Sequence, residues 1–155
     1  EALQTTVHQK LNDLIVIMDH NKIQSSQYVK KIIDLKDLKS KIQSFGWHVE
    51  RCDGHNFKKL DHIFSKFKKI RDKPKFLIAD TIKGKGVDFM EHPNVMKKNK
   101  YYNWHAGAPN DKDFFKAQNL ILKRINNLIV KGKLNSLDVF DITPEQLTNK
   151  SIEIH

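Results

Sequence analysis

Two stretches of the chain concentrate groups able to do chemistry directly after short apolar runs. The first, Asp19-His20-Asn21-Lys22-Ile23-Gln24, follows Leu14-Ile15-Val16-Ile17-Met18. The second, Thr81-Ile82-Lys83-Gly84-Lys85-Gly86, follows Phe76 to Ala79 and runs on to Trp104-His105-Ala106-Gly107-Ala108-Pro109-Asn110. Asn21 suits a turn as well as a ligand site, because its side chain readily bonds its own backbone. Lys83 to Gly86 satisfies neither the Walker spacing nor the dinucleotide fingerprint. His105 can be a structural loop histidine or a site residue. Cys52 falls in a predicted strand, where an inert thiol is expected. No zinc spacing and no nucleophile with a paired base is visible.

The elements that must position these groups are those of one domain. A chain of 155 residues, 39% apolar and 30% charged, with 6 Gly and 4 Pro, is globular in composition. It is neither collagen-like nor largely disordered. No apolar run approaches the length of a membrane span. One cysteine forms no internal disulfide, and the first residues lack a secretory pattern, so a cytoplasmic protein is expected. The chain opens on Glu1 with no initiator Met, which suggests a cut from a longer sequence. The formal charge of +10 would attract phosphorylated small molecules, anionic lipid or nucleic acid. All basic residues but Arg51, Arg71 and Arg124 are lysines, however, and planar phosphate and base recognition favours arginine. Many of the lysines fall on the polar faces of predicted helices, where solvation explains them.

Leu14 to Met18 reads as a strand buried on both faces. Leu35, Leu38, Ile42 and Phe45 mark an amphipathic helix, with Asp34 as its cap and Gly46 as its left-handed stop. Trp47 to Cys52 reads as a second strand, closed by the turn Asp53-Gly54-His55-Asn56, and Asn56 caps a helix carrying Phe57, Leu60, Ile63, Phe67 and Ile70. Lys73-Pro74 ends that helix, and Phe76 to Ala79 is a third strand. This alternation is that of βαβ units, so the expected class is α/β with a parallel sheet and flanking helices. Ile82 to Pro109 shows no convincing periodicity and reads as a long functional loop. Asn110 caps a last helix that has Asp111 and Asp113 in its first turn and Gly132 beyond its end. Residues 1–132 are expected to form the domain and 133–155 a linker or tail.

In open α/β sheets, ligands bind beyond the carboxyl ends of the strands, where both polar segments fall. Four runs in one order carry a family likeness: Leu14 to Gln24, Phe45 to His55, Ile78 to Gly86 and Trp104 to Asn110. Together they resemble the thiamine-diphosphate-binding domain of transketolases, above all their N-terminal halves, which some organisms make as a separate subunit. The likeness covers residues 1 to about 120. The family's Gly-Asp-Gly, whose Asp binds the metal, belongs further upstream of Asn21 than this chain extends. The resemblance thus implies the latter part of a partial cofactor fold. Ala106 stands where relatives commonly have Gly.

The resemblance implies thiamine diphosphate and Mg²⁺ as cofactors. It assigns the Asn21 amide oxygen and the Ile23 carbonyl to the metal, in keeping with the oxygen shell that Mg²⁺ shares with phosphates. His105 corresponds to the histidine that reaches the diphosphate and the sugar. Glu1 corresponds to an acid in a chain of glutamates linking two active sites. The implied activity is transfer of a two-carbon ketol unit between sugar phosphates, with the chemistry carried by the cofactor. The implied partners are sugar phosphates and a pyrimidine-binding domain or C-terminal subunit, in a homodimer or heterotetramer. This chain alone is expected to be inactive. Deoxyxylulose-phosphate synthases and dehydrogenase components using the same cofactor are the nearest alternatives. A basic nucleic-acid module lacks the aromatic and basic interleaving it would need, and no membrane or nucleic-acid partner is expected.

Overall fold

The computed structural model describes residues 1–132. Contacts divide the chain into two units, 1–114 and 115–155. The first begins with α1 (Ala2–His8), β1 (Ile15–His20) and a small hairpin of β2 (Ile23–Gln24) and β3 (Gln27–Tyr28). A single turn α2 (Val29–Ile32) leads to α3 (Leu38–Ser44), β4 (His48–Asp53), α4 (Phe57–Phe67) and β5 (Lys75–Asp80). Then come α5 (His92–Lys98) and α6 (Asp111–Gly132), which continues into the second unit. No described helix is long and apolar enough to cross a membrane.

The sheet is parallel, in the order β1-β5-β4. This is the expected α/β arrangement, with one correction. The apolar run of β1 does not occupy the centre: β1 is an edge strand whose exposure alternates, Ile15 and Ile17 being 40% and 56% exposed. The central place goes to β5, buried from Lys75 to Ala79. On one face Val16, Met18, Val49, Phe76 and Ile78 pack with Trp47 and with Leu3, Val7, Leu38 and Ile42 of α1 and α3. On the other, α4 places Ile63 and Phe67 over Leu77 and Ala79. Among the described residues that second cover stops short of Ile15 and Ile17, so an unbroken apolar run there does not mean burial on both sides.

Local signals fixed most element ends. Asn56 Oδ1 accepts the Lys59 N–H at 3.0 Å and caps α4, and Gly46 takes φ +91° after α3. Asn110 caps α6 through the Asp113 N–H at 2.9 Å. Asp34 does not cap α3. Asp37 does, accepting from the Ser40 N–H at 3.1 Å, while Asp34 closes a tight turn onto the Lys36 N–H. Two residues separate two acids that both suit a cap, and the helix starts at the second. Gly132, expected beyond the end of the last helix, lies within α6, and the expected tail, 133–155, lies outside the described residues.

The stretch from Ile82 to Pro109 is also not a bare loop. It contains α5, started by Glu91 and Pro93. A third apolar cluster joins Val95 and Tyr102 to Ile23, with Tyr28, Met96 and Trp104 around them. Gly84, at φ +79°, lies so close to the Met90 carbonyl that an added Cβ would sit 2.2 Å from that oxygen. A helix this short carries too few apolar positions to show a period.

Candidate functional site

β1, β5 and β4 end level with one another at His20, Asp80 and Asp53. Because side chains alternate along a strand, the face that carries Val16, Phe76 and Val49 continues through Met18 and Ile78 to His20, Asp80 and Arg51. It is core at its base and polar at its carboxyl edge. There the Arg51 guanidinium grips both oxygens of Asp80, at 2.7 Å from Nε and 2.9 Å from Nη2. His20 Nδ1 lies 2.8 Å from Asp80 Oδ1 and Lys22 Nζ 3.5 Å from it. The bonds from Arg51, then that from His20, hold the Asp80 carboxyl well below the usual carboxylate range. Such an ionised carboxylate only accepts, so Nδ1 of His20 carries the proton.

The loop after β1 is held from below by the residue after Asp80. The Thr81 hydroxyl donates to Asp19, and the Thr81 N–H donates to the His20 carbonyl at 3.3 Å. Asn21 Oδ1 accepts the Ile23 N–H at 2.9 Å, and its amide nitrogen donates to Asp19 at 3.3 Å. Both readings of Asn21 therefore meet in one geometry, since it closes a turn while its oxygen keeps a second lone pair. Val29 N–H donates to the Lys22 carbonyl at 2.9 Å and Ile23 stands opposite Tyr28. In an antiparallel ladder, bonded and non-bonded pairs alternate, which makes Ile23 and Tyr28 a non-bonded pair. The Ile23 carbonyl consequently faces away from β3. The turn directly after β1 thus carries two neutral oxygens two residues apart in sequence, each with bonding capacity left.

The other predicted residues stand apart from this pair. Glu1 is exposed at the start of α1, where its carbonyl, not its side chain, accepts the Gln4 and Thr5 N–H groups. His105 is exposed, in a segment that runs exposed through Asn110. No hydrogen bond among the described residues joins Glu1 or His105 to Asn21 or Ile23. Ala106 lies outside the left-handed region, which Gly107 takes instead at φ +84°. Trp104 anchors the start of the segment, edge-on to Phe89 at 5.5 Å. The Lys83 to Gly86 run is spoken for internally. Glu91 pairs with Lys85 at 3.4 Å and accepts from Gly86 N–H at 3.2 Å. His92 accepts from Lys83 N–H at 3.1 Å. Burial lowers the His92 pKa, consistent with that acceptor being neutral imidazole.

Sequence reading gave no individual role to Asp80, His20, Arg51 or Thr81. Asp80 breaks an apolar run at a strand's last residue, and Arg51 is one of three arginines, set within a strand; either was a usable signal. Beside this edge lies a cavity of ≈ 610 Å³. Lys22, Lys30, Lys31, Lys36 and Arg51 line it against a single acid, Asp34. Cys52 is half-buried, and burial pushes its thiol pKa up, as befits an unreactive thiol. Among the described residues no group of three or more His, Cys, Asp or Glu could hold a metal ion.

A parallel α/β sheet with its polar loops gathered at the carboxyl edge defines a ligand-binding domain of the open α/β class. Comparison with known proteins gives the family. Residues 1–100 match the model of the transketolase thiamine diphosphate binding domain. The chain is 37% identical over 91 residues to a 6-deoxy-6-sulfo-D-fructose transketolase subunit of Clostridium sp., covering 59% of this chain and 33% of that one. It is 30% identical over 128 residues to an apulose-4-phosphate transketolase subunit of Phocaeicola vulgatus, covering 83% and 43%. A solved transketolase structure from Pichia stipitis superposes with a TM-score of 0.62 at 19% identity, over 95% of this chain and 19% of the other. That likeness speaks to the fold. The chain belongs to the transketolase family, in its thiamine diphosphate binding domain. It spans less than half of the length of the two curated relatives.

Proposed function

We propose that residues 1–132 are the latter part of a cofactor domain in an enzyme that moves a two-carbon ketol unit between anionic sugars, using thiamine diphosphate and Mg²⁺. The observation that carries this reading is the turn after β1, in which Asn21 Oδ1 accepts the Ile23 N–H and the Ile23 carbonyl faces away from β3. The donors suit the group. Mg²⁺ takes oxygen ligands and shares its shell with phosphates, and neutral donors add no repulsion toward a diphosphate. With no acidic cluster among the described residues, this chain would supply two ligands. The family's upstream Asp, diphosphate oxygens and water would complete the shell.

Thiamine diphosphate, when bound, supplies the chemistry of carbon–carbon bond cleavage and formation. The residues of this chain bind and orient. Asn21 and Ile23 fix the metal, and with it the diphosphate. His105, on its exposed segment, would donate to the diphosphate or to a sugar hydroxyl. Glu1 would face a second active site through neighbouring acids. The two curated relatives are named for a sulfo-sugar and a sugar phosphate and are called subunits. A sugar bearing an anionic group is therefore the proposed substrate class, and a pyrimidine-binding domain or partner subunit the proposed complement, in a homodimer or heterotetramer. The lysine-rich cavity beside the strand ends favours anions. The test is Asn21→Ala in the assembled enzyme. Affinities for Mg²⁺ and cofactor should fall together by about tenfold or more. Unchanged affinities would leave Asn21 as a turn residue alone.

A further inference from the structure

The residues on either side of Asn21 are both tied to one carboxylate. Asp80 Oδ1 lies 2.8 Å from His20 Nδ1 and 3.5 Å from Lys22 Nζ. Asp80 is itself fixed from β4 by both Nε and Nη2 of Arg51. Its neighbour Thr81 bonds Asp19 through the hydroxyl and the His20 carbonyl through the N–H. Asp19, His20 and Lys22 are therefore all held by two consecutive residues at the end of the central strand. Lys22 is kept at φ +68°, a left-handed conformation that non-glycine residues adopt only when their surroundings over-determine it. With both flanking residues pulled toward the sheet, the loop can turn the Asn21 amide back onto the Ile23 N–H and present their oxygens together.

We infer that Asp80 is a positioning residue for the metal: through His20 and Lys22 it sets the loop geometry that brings the Asn21 and Ile23 oxygens into one coordination shell. The inference rests on the proposed role of Asn21 and Ile23, and the measurement separates the two. Asp80→Asn keeps the size of the side chain but removes its charge and one of its two acceptor oxygens. In the assembled enzyme with thiamine diphosphate present, Mn²⁺ binding followed by electron paramagnetic resonance should weaken about tenfold, the scale found when support of a metal ligand is removed. kcat at saturating metal should return close to that of the parent, because positioning lost is recovered by mass action. In the Asn21→Ala background, adding Asp80→Asn should change Mn²⁺ affinity little further, since Asp80 acts through that loop. A merely structural role would lower the melting temperature while leaving Mn²⁺ affinity intact, or would add in full to Asn21→Ala, and either result overturns the inference. If Asn21→Ala weakens Mn²⁺ binding and Asp80→Asn does not, the ligand assignment survives and the role of Asp80 falls. If Asn21→Ala has no effect, both fall. Should Asp80→Asn fail to fold, Arg51→Lys, which keeps the charge but loses the two-pronged grip, takes its place: a several-fold weakening supports the inference and unchanged affinity refutes it.

Discussion

The segments 19–23 and 104–109 both belong to the family likeness, yet they are built in opposite ways. The first is bonded at nearly every residue, to Asp80, to Thr81 and within itself. The second is exposed from His105 onward, anchored by Trp104 at one end and by the cap of α6 at the other. A loop held by its own sheet arrives with its geometry made. A loop held only at its ends must take its geometry from what it binds. The contrast therefore divides the proposed duties: the loop proposed to place the metal is held by this chain itself, and the proposed contact of His105 would be completed by ligand or partner.

The largest effect that could break this contrast lies in the chain by itself. Two neutral oxygens without a carboxylate hold Mg²⁺ weakly, so calorimetric titration of residues 1–155 with Mg²⁺ and thiamine diphosphate should give a flat trace. Micromolar binding would show that this chain already completes a site. Next comes His105→Ala in the assembled enzyme. A hydrogen bond to a charged group contributes about 1.5–3 kcal/mol, or roughly ten- to a hundredfold in kcat/KM. The melting temperature should stay where it was, because His105 packs against nothing in the core. Lowered stability with normal kinetics would make it a structural residue and remove the contrast.

Two glycines sharpen it further. Gly84→Ala forces a methyl group into the Met90 carbonyl at positive φ, and the loss should exceed about 1 kcal/mol, with the thermal midpoint falling accordingly. Gly107→Ala has open space around it and pays only for its φ of +84°, about 1 kcal/mol. Equal losses at the two positions would mean that the second segment is packed as tightly as the turn at Gly84. The smallest effect concerns acid. Asp80 is ionised more readily in the folded chain than in the unfolded one. The unfolded chain therefore binds the extra proton first as pH falls below the ordinary carboxylate range. The stabilisation is complete above that range and fades below it. Asp80→Asn should flatten this acid limb in denaturant titrations between about pH 5 and pH 2, modestly, since the carboxylate is partly exposed. His105→Ala should leave the limb unchanged.

What the residues wrote locally was legible. The stripe of Ile63 and Phe67 with the Asn56 cap, the stop at Gly46, the cap at Asn110 and the strand at Phe76 to Ala79 rest on periods and capping chemistry confined to a few neighbours. The motif Asp19 to Gln24 was legible too, because a likeness of residue types in order needs no coordinates. Tertiary structure decided the rest, and for a common reason. That β1 lies at an edge while β5 takes the centre is a matter of pairing between distant segments, which apolar content alone does not encode. That α5 forms within Ile82 to Pro109 depends on Ile23 and Tyr102 closing a cluster around Val95. That Asp80 meets His20, Lys22 and Arg51 depends on the register of three strands, since Asp80 lies sixty positions after His20 and only the parallel ladder brings them level. Sequence named the residues of the loop; the sheet alone decides how they are held.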